Sequence, residues 1–200
     1  MGSPARRWNH NIHYHRLILD AIPDGALSAL DVGCGNGLLT AELLTKVPDV
    51  TGVDVDAEVL DGARQLSDAI TWVMGDAMTY EFDRRFDVVA SVATLHHLPD
   101  LEAALNRLAE LTTPGGVLAV IGLARASRPK DALIHGVGTL QHQWMARRHG
   151  YWEHTAPTVW PPPHDYATVR RTAERVLPGA RWKQLPLFRY VLTWRRPHPR

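Results

Sequence analysis

Residues 29–37 read ALDVGCGNG and hold three glycines at alternate positions, a pattern suited to ligand binding. Gly33, Gly35 and Gly37 let the backbone turn tightly and let a ligand approach the main chain. Leu38 stands where a dinucleotide-binding G-x-G-x-x-G pattern has its last glycine, so the spacing disfavours a dinucleotide pyrophosphate. The run predicts a ligand-binding turn between a strand and a helix. The glycines alone leave open a plain turn without a ligand.

Two aspartates beside this loop indicate the kind of ligand. Asp54 ends an apolar run in the segment TGVDVD, where a carboxylate can accept hydrogen bonds from both hydroxyls of a ribose. Asp31 comes shortly before the first glycine, and its negative charge would attract a cationic ligand and repel a phosphate chain. The two acids therefore predict a nucleoside that carries positive charge.

Two adjacent histidines in TLHHLPD, at residues 94–100, are the best candidates for acid–base chemistry. Histidine titrates near neutral pH, so His96 or His97 could take a proton from a phenol, a hydroxyl or an ammonium group. The alternative is that these side chains serve helix packing or ligand contact. Of the two, His96 is the stronger candidate for a general base.

A second histidine cluster, NHNIHYH at residues 9–15, suggests a metal site at first. His10 and His13 could share one face of a helix, but His15 points elsewhere, and no nearby carboxylate completes a ligand set. Cys34 is the one cysteine of the chain, which excludes a cysteine-built zinc site and an internal disulfide. We therefore expect no metal.

The elements that must position these residues alternate between strand and helix, which predicts a parallel sheet covered on both faces. Near the end of the sequence, two strands separated by few residues should instead form an antiparallel hairpin. We expect an irregular, proline-rich segment at residues 156–164. The predicted strands are 29–32, 50–55, 70–74, 86–92, 117–121, 181–185 and 188–194, and the predicted helices are 10–22, 38–47, 57–66, 101–111, 131–148 and 166–176.

Length and charge restrict the class of protein. The 200 residues suit one domain, and the formal net charge of +1 gives no general attraction to nucleic acid or to acidic membranes. The segment from Asp165 onward is basic, which we interpret as a solvated face. The sequence shows neither a signal-peptide pattern nor a membrane-length apolar run, so we expect a cytoplasmic protein.

Five ordered motifs together resemble the class I S-adenosylmethionine-dependent methyltransferases, of the small-molecule, methyltransferase type 11-like kind. This resemblance implies a Rossmann-like α/β fold: a doubly wound, mostly parallel seven-stranded sheet with a C-terminal antiparallel hairpin. The motifs are ALDVGCGNG, GVDVD, GDAMTYEF, FDVVASVATLHHLPD and LTTPGGVLAVI.

The resemblance also implies roles for individual residues around S-adenosylmethionine. The loop Gly33, Cys34, Gly35, Asn36 and Gly37 would line the methionine part, with Asp31 near its amino group. Many relatives have threonine in place of Asn36. The nucleoside would be held by Asp54 at the ribose and by Val55, Asp76 and Ala77 at the adenine, Ser91 and Val92 would pass beneath the sulfonium, and the hydroxyl of Tyr14 would bind the carboxylate.

The acceptor should enter at the carboxyl ends of the strands, beneath segments without a strand of the sheet. The resemblance makes His10, Asn11 and His13 candidate lid or acceptor contacts. Aromatic side chains in residues 125–165 could form a lid over a flat or apolar acceptor, or could pack the added helix onto the domain. Among them we select His142, Trp144 and Trp152 as acceptor contacts; His154 belongs to the same aromatic group.

We accordingly divide a single methyltransferase domain, residues 1–200, into four parts. These are an N-terminal lid helix at 1–25, a cofactor-binding core at 26–123, a substrate-cap insertion at 124–165, and a closing helix and hairpin at 166–200.

The expected activity is O- or N-methylation of a small-molecule acceptor by in-line transfer, which leaves S-adenosylhomocysteine. Because the methyl group is already activated, orientation can supply much of the catalysis, and His96 or His97 would act only on a protonated acceptor. We expect no nucleic-acid or membrane partner, and the sequence leaves open a monomer or a homodimer. The alternatives are a methyltransferase of RNA or protein, a non-catalytic cofactor-binding protein and, by fold alone, a nicotinamide dehydrogenase.

Overall fold

Residues 8–152 and 160–199 are described in the computed structural model. His154 and residues 156–159 of the predicted irregular segment lie outside this part of the chain, as do the first seven residues of the predicted lid. Among the described helices, none is long and apolar enough to cross a membrane.

A seven-stranded sheet forms the centre of the fold, with the strand order β3-β2-β1-β4-β5-β7-β6. The first five strands run parallel, whereas β7 lies antiparallel between β5 and β6. This arrangement confirms the predicted fold class and the predicted hairpin. The strands are β1 (Ser28–Val32), β2 (Asp49–Asp54), β3 (Ile70–Met74), β4 (Phe86–Val92), β5 (Thr112–Leu123), β6 (Arg181–Leu185) and β7 (Arg189–Arg195).

Helices cover both faces of the sheet because the central strands are apolar on both faces. On one face α4 and α6 pack against Leu30, Val89 and Leu118; on the other, α1 and α2 pack against Val88 and Ala119. The helices are α1 (His15–Leu19), α2 (Leu38–Leu44), α3 (Ala57–Ala63), α4 (Leu101–Leu111), α5 (Pro129–His149) and α6 (Tyr166–Val176), with 3₁₀ turns at Ile12–Tyr14, Arg64–Leu66 and Leu95–His97.

Three aspartates fix where helices begin. The carboxylate of Asp56 accepts hydrogen bonds from two backbone N–H groups of α3, Asp100 does the same for α4, and Asp165 accepts one from α6. Such caps each contribute about 1 kcal/mol to stability. Two of them follow β2 and β4 closely, so they also fix how the chain leaves the sheet.

Two elements differ in length from the sequence-based prediction. The first helix was predicted over 10–22, but it consists of a 3₁₀ turn and the short α1. The side chain of Asn9 accepts hydrogen bonds from the N–H groups of Asn11 and Ile12 and so caps the start of this segment. The strand predicted at 117–121 extends over Thr112–Leu123, since Gly115 and Gly116 exchange backbone hydrogen bonds with Arg196.

The strand register aligns the carboxyl ends that matter for binding. Val32 at the end of β1 pairs with Val53 of β2 and with Ser91 of β4. The loops that follow these three strands therefore leave the sheet at the same edge, which is where ligands bind in open α/β sheets.

Candidate active site

The glycine loop between β1 and α2 turns sharply at each glycine. The φ angles of Gly33, Gly35 and Gly37 are +69°, +52° and +72°, in the left-handed region that glycine adopts without strain. The N–H groups of Gly33 and Cys34 both donate to the carbonyl oxygen of Val53, at 2.9 and 3.1 Å. These bonds fix the loop against the end of β2.

The surroundings of the three glycines differ. A Cβ atom on Gly33 would lie 2.2 Å from Oγ1 of Thr94, and one on Gly37 would lie 2.5 Å from the ring of Trp72. A Cβ atom on Gly35 would meet no protein atom within 4 Å. Gly33 and Gly37 are therefore required by packing inside the protein, whereas Gly35 borders open space that a ligand can fill.

Asp54 and two apolar side chains lie next to that space. The carboxylate of Asp54 accepts hydrogen bonds from the N–H groups of Gly35, at 2.8 Å, and Asp56, at 3.0 Å. At the ends of β2 and β3, Val55 is 70% exposed and Met74 is 59% exposed. Exposed apolar side chains beside a fixed carboxylate suit a nucleoside, whose base is flat and whose sugar has hydroxyl groups.

Asp31 is buried beneath the loop. Its Oδ2 atom accepts a hydrogen bond of 2.7 Å from the hydroxyl of Thr40. Burial raises the pKa of Asp31 to about 6, although Thr40 and the nearby His15 oppose that increase. A cationic group bound next to Asp31 would favour its charged form.

Other residues predicted to bind the cofactor lie around the same edge. Asp76 is exposed and accepts a hydrogen bond from the N–H group of Met78, while Ala77 is buried. The hydroxyl of Ser91 donates to the carbonyl oxygen of Val32 at 3.0 Å, which joins β4 to β1. Three further predicted residues, the buried Cys34 and the half-buried Asn36 and Val92, lie in the glycine loop and at the end of β4.

The two predicted catalytic histidines form a short 3₁₀ turn after β4. Their ring centroids are 4.0 Å apart; His96 is buried, whereas His97 is exposed. Nδ1 of His96 has no hydrogen-bond partner among the described residues. Burial, together with the nearby His97 and Arg189, lowers the pKa of His96 to about 4. His96 is therefore neutral at pH 7, and its Nδ1 is available to a bound molecule.

A small recess beside His96 was not predicted from the sequence. Its lining includes Leu123, Tyr190 and a further histidine, His164, whose buried Nε2 also lacks a partner among the described residues. The sequence signal for His164 was its position directly after three prolines, which hold the chain away from regular structure.

The N-terminal segment, residues 8–19, packs against α5 through neutral histidines. Nε2 of His10 lies 2.9 Å from Nδ1 of His142, and Nε2 of His13 lies 3.3 Å from Nε2 of Gln141. Burial lowers the pKa of His13 and, together with Arg189, lowers the pKa of His10 to about 3. The structure thus brings together three of the predicted acceptor contacts, His10, His13 and His142.

Three other predicted contacts lie in different surroundings. The hydroxyl of Tyr14 donates to the carbonyl oxygen of Pro186 at 2.9 Å, in the turn between β6 and β7. Trp144 lies on the outer face of α5, 56% exposed, with the guanidinium of Arg148 over its ring. The backbone N–H of Trp152 donates to the carbonyl oxygen of Trp8, which joins the end of α5 to the N-terminal segment.

Arg189 is the most distinctive residue that the sequence-based reasoning missed. It is only 7% exposed, and its Nε and Nη2 atoms donate to Oδ1 of Asn11, at 3.1 and 2.7 Å. One feature of the sequence indicates an inward position for Arg189. Alternation along RYVLTWR places it on the same face of β7 as Val191, which packs against the core. Among the many basic residues of this segment, an arginine at an inward position is unusual.

None of the described residues forms a group of three or more histidine, cysteine or acidic side chains that could hold a metal ion. In particular, His10, His13 and His15 of the N-terminal cluster do not form one. Their contacts are instead with His142, Gln141 and Glu42.

Comparison with known proteins finds a relative that is similar over almost the whole chain. The family described as "Methyltransferase domain" matches residues 30–120. Over 193 residues the chain is 43% identical to an uncharacterized methyltransferase of Mycobacterium tuberculosis (strain H37Rv), covering 95% of this chain and 98% of the relative. It is also 36% identical over 111 residues to a trans-aconitate 2-methyltransferase of Methylobacterium radiotolerans, covering 54% of this chain and 43% of that one.

Among solved structures, the fold is similar to that of the N-methyltransferase NodS from Bradyrhizobium japonicum WM9 in complex with S-adenosyl-L-homocysteine. The TM-score is 0.63 at 18% identity, and the alignment covers 94% of this chain and 87% of that one. At this level of identity the likeness is one of fold.

Proposed function

The chain belongs to the class I S-adenosylmethionine-dependent methyltransferases, and from that premise we propose that it methylates a small-molecule acceptor. The observation that supports a small acceptor is that basic side chains of the C-terminal segment already have partners within the protein, since Arg170 and Arg175 bind glutamates and Arg196 binds backbone carbonyl oxygens. A related enzyme is named for methylation of trans-aconitate, a small molecule, which supports the same acceptor class.

The residues around the glycine loop fit S-adenosylmethionine. We propose that the methionine part lies along the open side of Gly35, with its ammonium near Asp31, and that Asp54 holds the ribose. Val55 and Met74 would cover the two sides of the adenine ring, with Asp76 and Ala77 at its edge. When bound, the cofactor supplies an electrophilic methyl group on a positively charged sulfur.

The hydrogen bonds that Tyr14 and Ser91 already make restrict the roles that we propose for them. Each hydroxyl already donates to a backbone carbonyl, of Pro186 and Val32 respectively. Each hydroxyl can still accept a hydrogen bond. Tyr14 can donate to the cofactor carboxylate only after its hydrogen bond to the carbonyl oxygen of Pro186 breaks. We therefore propose that Tyr14 first fixes the N-terminal segment, and that Ser91 and Val92 form the floor beneath the sulfonium.

The contribution of the protein to transfer is mainly orientation. The carboxyl ends of β4 and β5 would hold the acceptor in line with the methyl group, which can replace much of the entropic cost of the reaction. His96 is proposed to contact the acceptor through its unpartnered Nδ1, with His97 beside it. Because the pKa of His96 is low, it is a weak base and suits an acceptor that loses its proton readily.

Contacts of the basic C-terminal segment favour a small acceptor over RNA. Arg175 makes two hydrogen bonds of 2.8 Å with Glu102, and Arg170 makes one of 2.7 Å with Glu174. Arg196 donates to three backbone carbonyl oxygens, those of Ala109, Glu110 and Thr112. These side chains already have partners within the protein, so they form a poor surface for phosphates.

The test is an activity screen that follows release of S-adenosylhomocysteine with phenols, amines and carboxylates as acceptors. Calorimetry with S-adenosylmethionine comes first, with NAD as the control ligand, and we expect binding of the former alone. Release with one small-molecule class would support the proposal. Release only with RNA or protein would contradict it, and tight cofactor binding without release to any acceptor would indicate a non-catalytic protein.

A further inference from the structure

Arg189 places a buried positive charge, with no negative partner among residues 8–152 and 160–199, at the edge of the sheet where the parallel strands end. Its protein contacts are neutral: the amide oxygen of Asn11 and, at 3.4 and 3.5 Å, the carbonyl oxygens of Leu187 and Phe188. No carboxylate oxygen of the described residues lies within 4.0 Å of a guanidinium nitrogen of Arg189. A buried charge in such surroundings is costly, because neutral dipoles replace water only in part.

The aromatic groups around Arg189 do not supply the missing charge. Tyr14, Tyr151 and Tyr166 are the groups with the strongest electrostatic influence on the guanidinium. Burial raises the pKa of Tyr14 to about 12 and raises that of Tyr166 further, so both phenols are neutral at pH 7. The nearest histidines that sense the charge, His10 and His96, are neutral as well.

The position of Arg189 is that of an acceptor contact. It is the first residue of β7 and pairs with Leu123, the last residue of β5, so it lies at the edge where the parallel strands end. Leu123 also lines the recess beside His96. The segment that contacts the guanidinium, through Asn11, is the N-terminal segment, which we propose as a lid.

We propose that Arg189 binds a carboxylate of the methyl acceptor, so that the acceptors of this enzyme are small carboxylic acids. The inference rests on the proposed function and names the acceptor class within it. A guanidinium has five N–H donors, and its planar edge matches the two oxygens of a carboxylate. Asn11 takes two of these donors at short distance, and the contacts of Nη1 with Leu187 and Phe188 are long.

One positive charge balances one carboxylate, and this charge match favours a carboxylate over a doubly charged phosphate ester. In the transfer, one carboxylate oxygen would form a bond to the methyl carbon as the bond from that carbon to the sulfonium breaks, which gives a methyl ester and neutral S-adenosylhomocysteine. The carboxylate is already ionised at neutral pH and loses no proton, which agrees with the low pKa of His96.

The experiment measures binding of two monocarboxylates, benzoate and cinnamate, to the protein loaded with S-adenosylhomocysteine, with benzamide and phenyl phosphate as comparison ligands. We expect the carboxylates to bind and benzamide to bind far more weakly. Arg189→Gln should weaken carboxylate binding about 30-fold or more, because it removes one partner of a buried charged pair. Arg195→Gln, an exposed position on the same strand, is the matched control and should leave the affinity unchanged.

Asn11→Asp provides a second test that keeps Arg189 in place. The new carboxylate would pair with the guanidinium and compete with the acceptor, so we expect weaker carboxylate binding together with a higher melting temperature. If Arg189→Gln fails to fold, this variant still tests whether Arg189 binds a carboxylate of the acceptor. Glu153, which lies outside the described residues, is tested by Glu153→Gln, which should leave carboxylate binding unchanged.

The inference would be overturned by equal binding of benzoate and benzamide, by tighter binding of phenyl phosphate than of the carboxylates, by no carboxylate binding at all, or by unchanged affinity in Arg189→Gln or Asn11→Asp. Stronger carboxylate binding in Glu153→Gln would also overturn it, since the chain itself would then neutralise Arg189. Binding of S-adenosylhomocysteine by the unmodified protein is measured first. If S-adenosylhomocysteine does not bind, the methyltransferase proposal is contradicted. If it binds but carboxylate binding does not depend on Arg189, only this inference is contradicted.

Discussion

At the scale of single residues, Gly35 and Gly25 allow cofactor contact to be separated from backbone strain. Both have positive φ angles, +52° and +76°, and at neither would a Cβ atom meet another atom within 4 Å. Gly35→Ala and Gly25→Ala should therefore each lower the free energy of unfolding by about 1 kcal/mol. Only Gly35→Ala should also weaken binding of S-adenosylmethionine, by about tenfold or more, because its methyl group would occupy the ligand side of the loop.

Urea unfolding and calorimetry measure these two effects on the same samples. Equal cofactor affinity in the two variants would mean that the open side of Gly35 does not face the ligand. A loss of stability much larger in Gly35→Ala than in Gly25→Ala would mean that the loop lacks the space that the structure shows.

His96 is the residue for which turnover and cofactor affinity should separate. His96→Ala should reduce turnover by about 100-fold or more, since it removes the one group proposed to contact the acceptor from this turn. Affinity for S-adenosylmethionine should change little, because His96 is not among the residues proposed to contact the cofactor. His97→Ala should have a smaller effect on turnover, since that ring is exposed.

His96→Gln then distinguishes a base from an orienting group. Glutamine can donate and accept hydrogen bonds but does not titrate. Turnover retained in His96→Gln and lost in His96→Ala would indicate orientation, whereas equal loss in both would indicate proton transfer. Unchanged turnover in His96→Ala would remove His96 from the proposed mechanism.

The residues that could be predicted from the sequence are those whose motif fixes their place along the chain. The glycines and Asp54 lie at the ends of consecutive strands, so the order of elements was sufficient to bring them together. Arg189 could not be found in this way, because its contact with Asn11 joins opposite ends of the described chain. Its charge does not single it out either, because the same segment contains several exposed arginines.

At the scale of elements, docking of the N-terminal segment should depend on pH. Burial holds the pKa values of His10 and His13 below the ordinary value of 6.5, to about 3 for His10, so the docked segment requires neutral rings. Their contribution to docking is complete above pH 6.5 and decreases as pH falls below that value toward the folded-state pKa. Hydrogen exchange of residues 8–19 should therefore be faster at pH 5.0 than at pH 7.5, after correction for intrinsic rates.

The matched variant is His10→Phe, which retains an aromatic ring without a titrating group. It should reduce the difference between the two pH values, while exchange in β1 and β4 stays protected at both. Exchange of residues 8–19 that is independent of pH in the unmodified protein would contradict neutral docking of these histidines.

The type of each element could be predicted where the apolar periodicity is strong. The length of each element was predicted correctly for only some of them. The strands β3, β4 and β6 and the helices α4 and α6 have the predicted bounds. The N-terminal helix is shorter than predicted, with a 3₁₀ turn after the side-chain cap at Asn9, and β5 is longer because a partner distant in sequence pairs with it. Side-chain caps and distant pairing are both decided by contacts that periodicity does not reveal.

At the scale of the whole molecule, alternation of strands and helices predicted a parallel sheet, but it did not predict the strand order. The antiparallel hairpin was predicted and is confirmed, and the structure adds that β7 lies between β5 and β6. The division of the domain into lid, core, cap and closing parts stays a prediction. The contacts that join the lid to the hairpin turn, from Tyr14 to Pro186 and from Asn11 to Arg189, show that those parts act on one another.

The strand order also has a consequence for the order of events on the ribosome. β6 pairs only with β7, and one edge of β5 is open until β7 arrives, although β7 is synthesised after every other strand of the sheet. An unpaired edge on a nascent chain invites association with other chains. The same late strand begins with Arg189, so the charge proposed to select the acceptor enters the fold in the step that closes this edge. On the proposed roles, the residues that bind the cofactor are therefore synthesised before the residue that binds the acceptor.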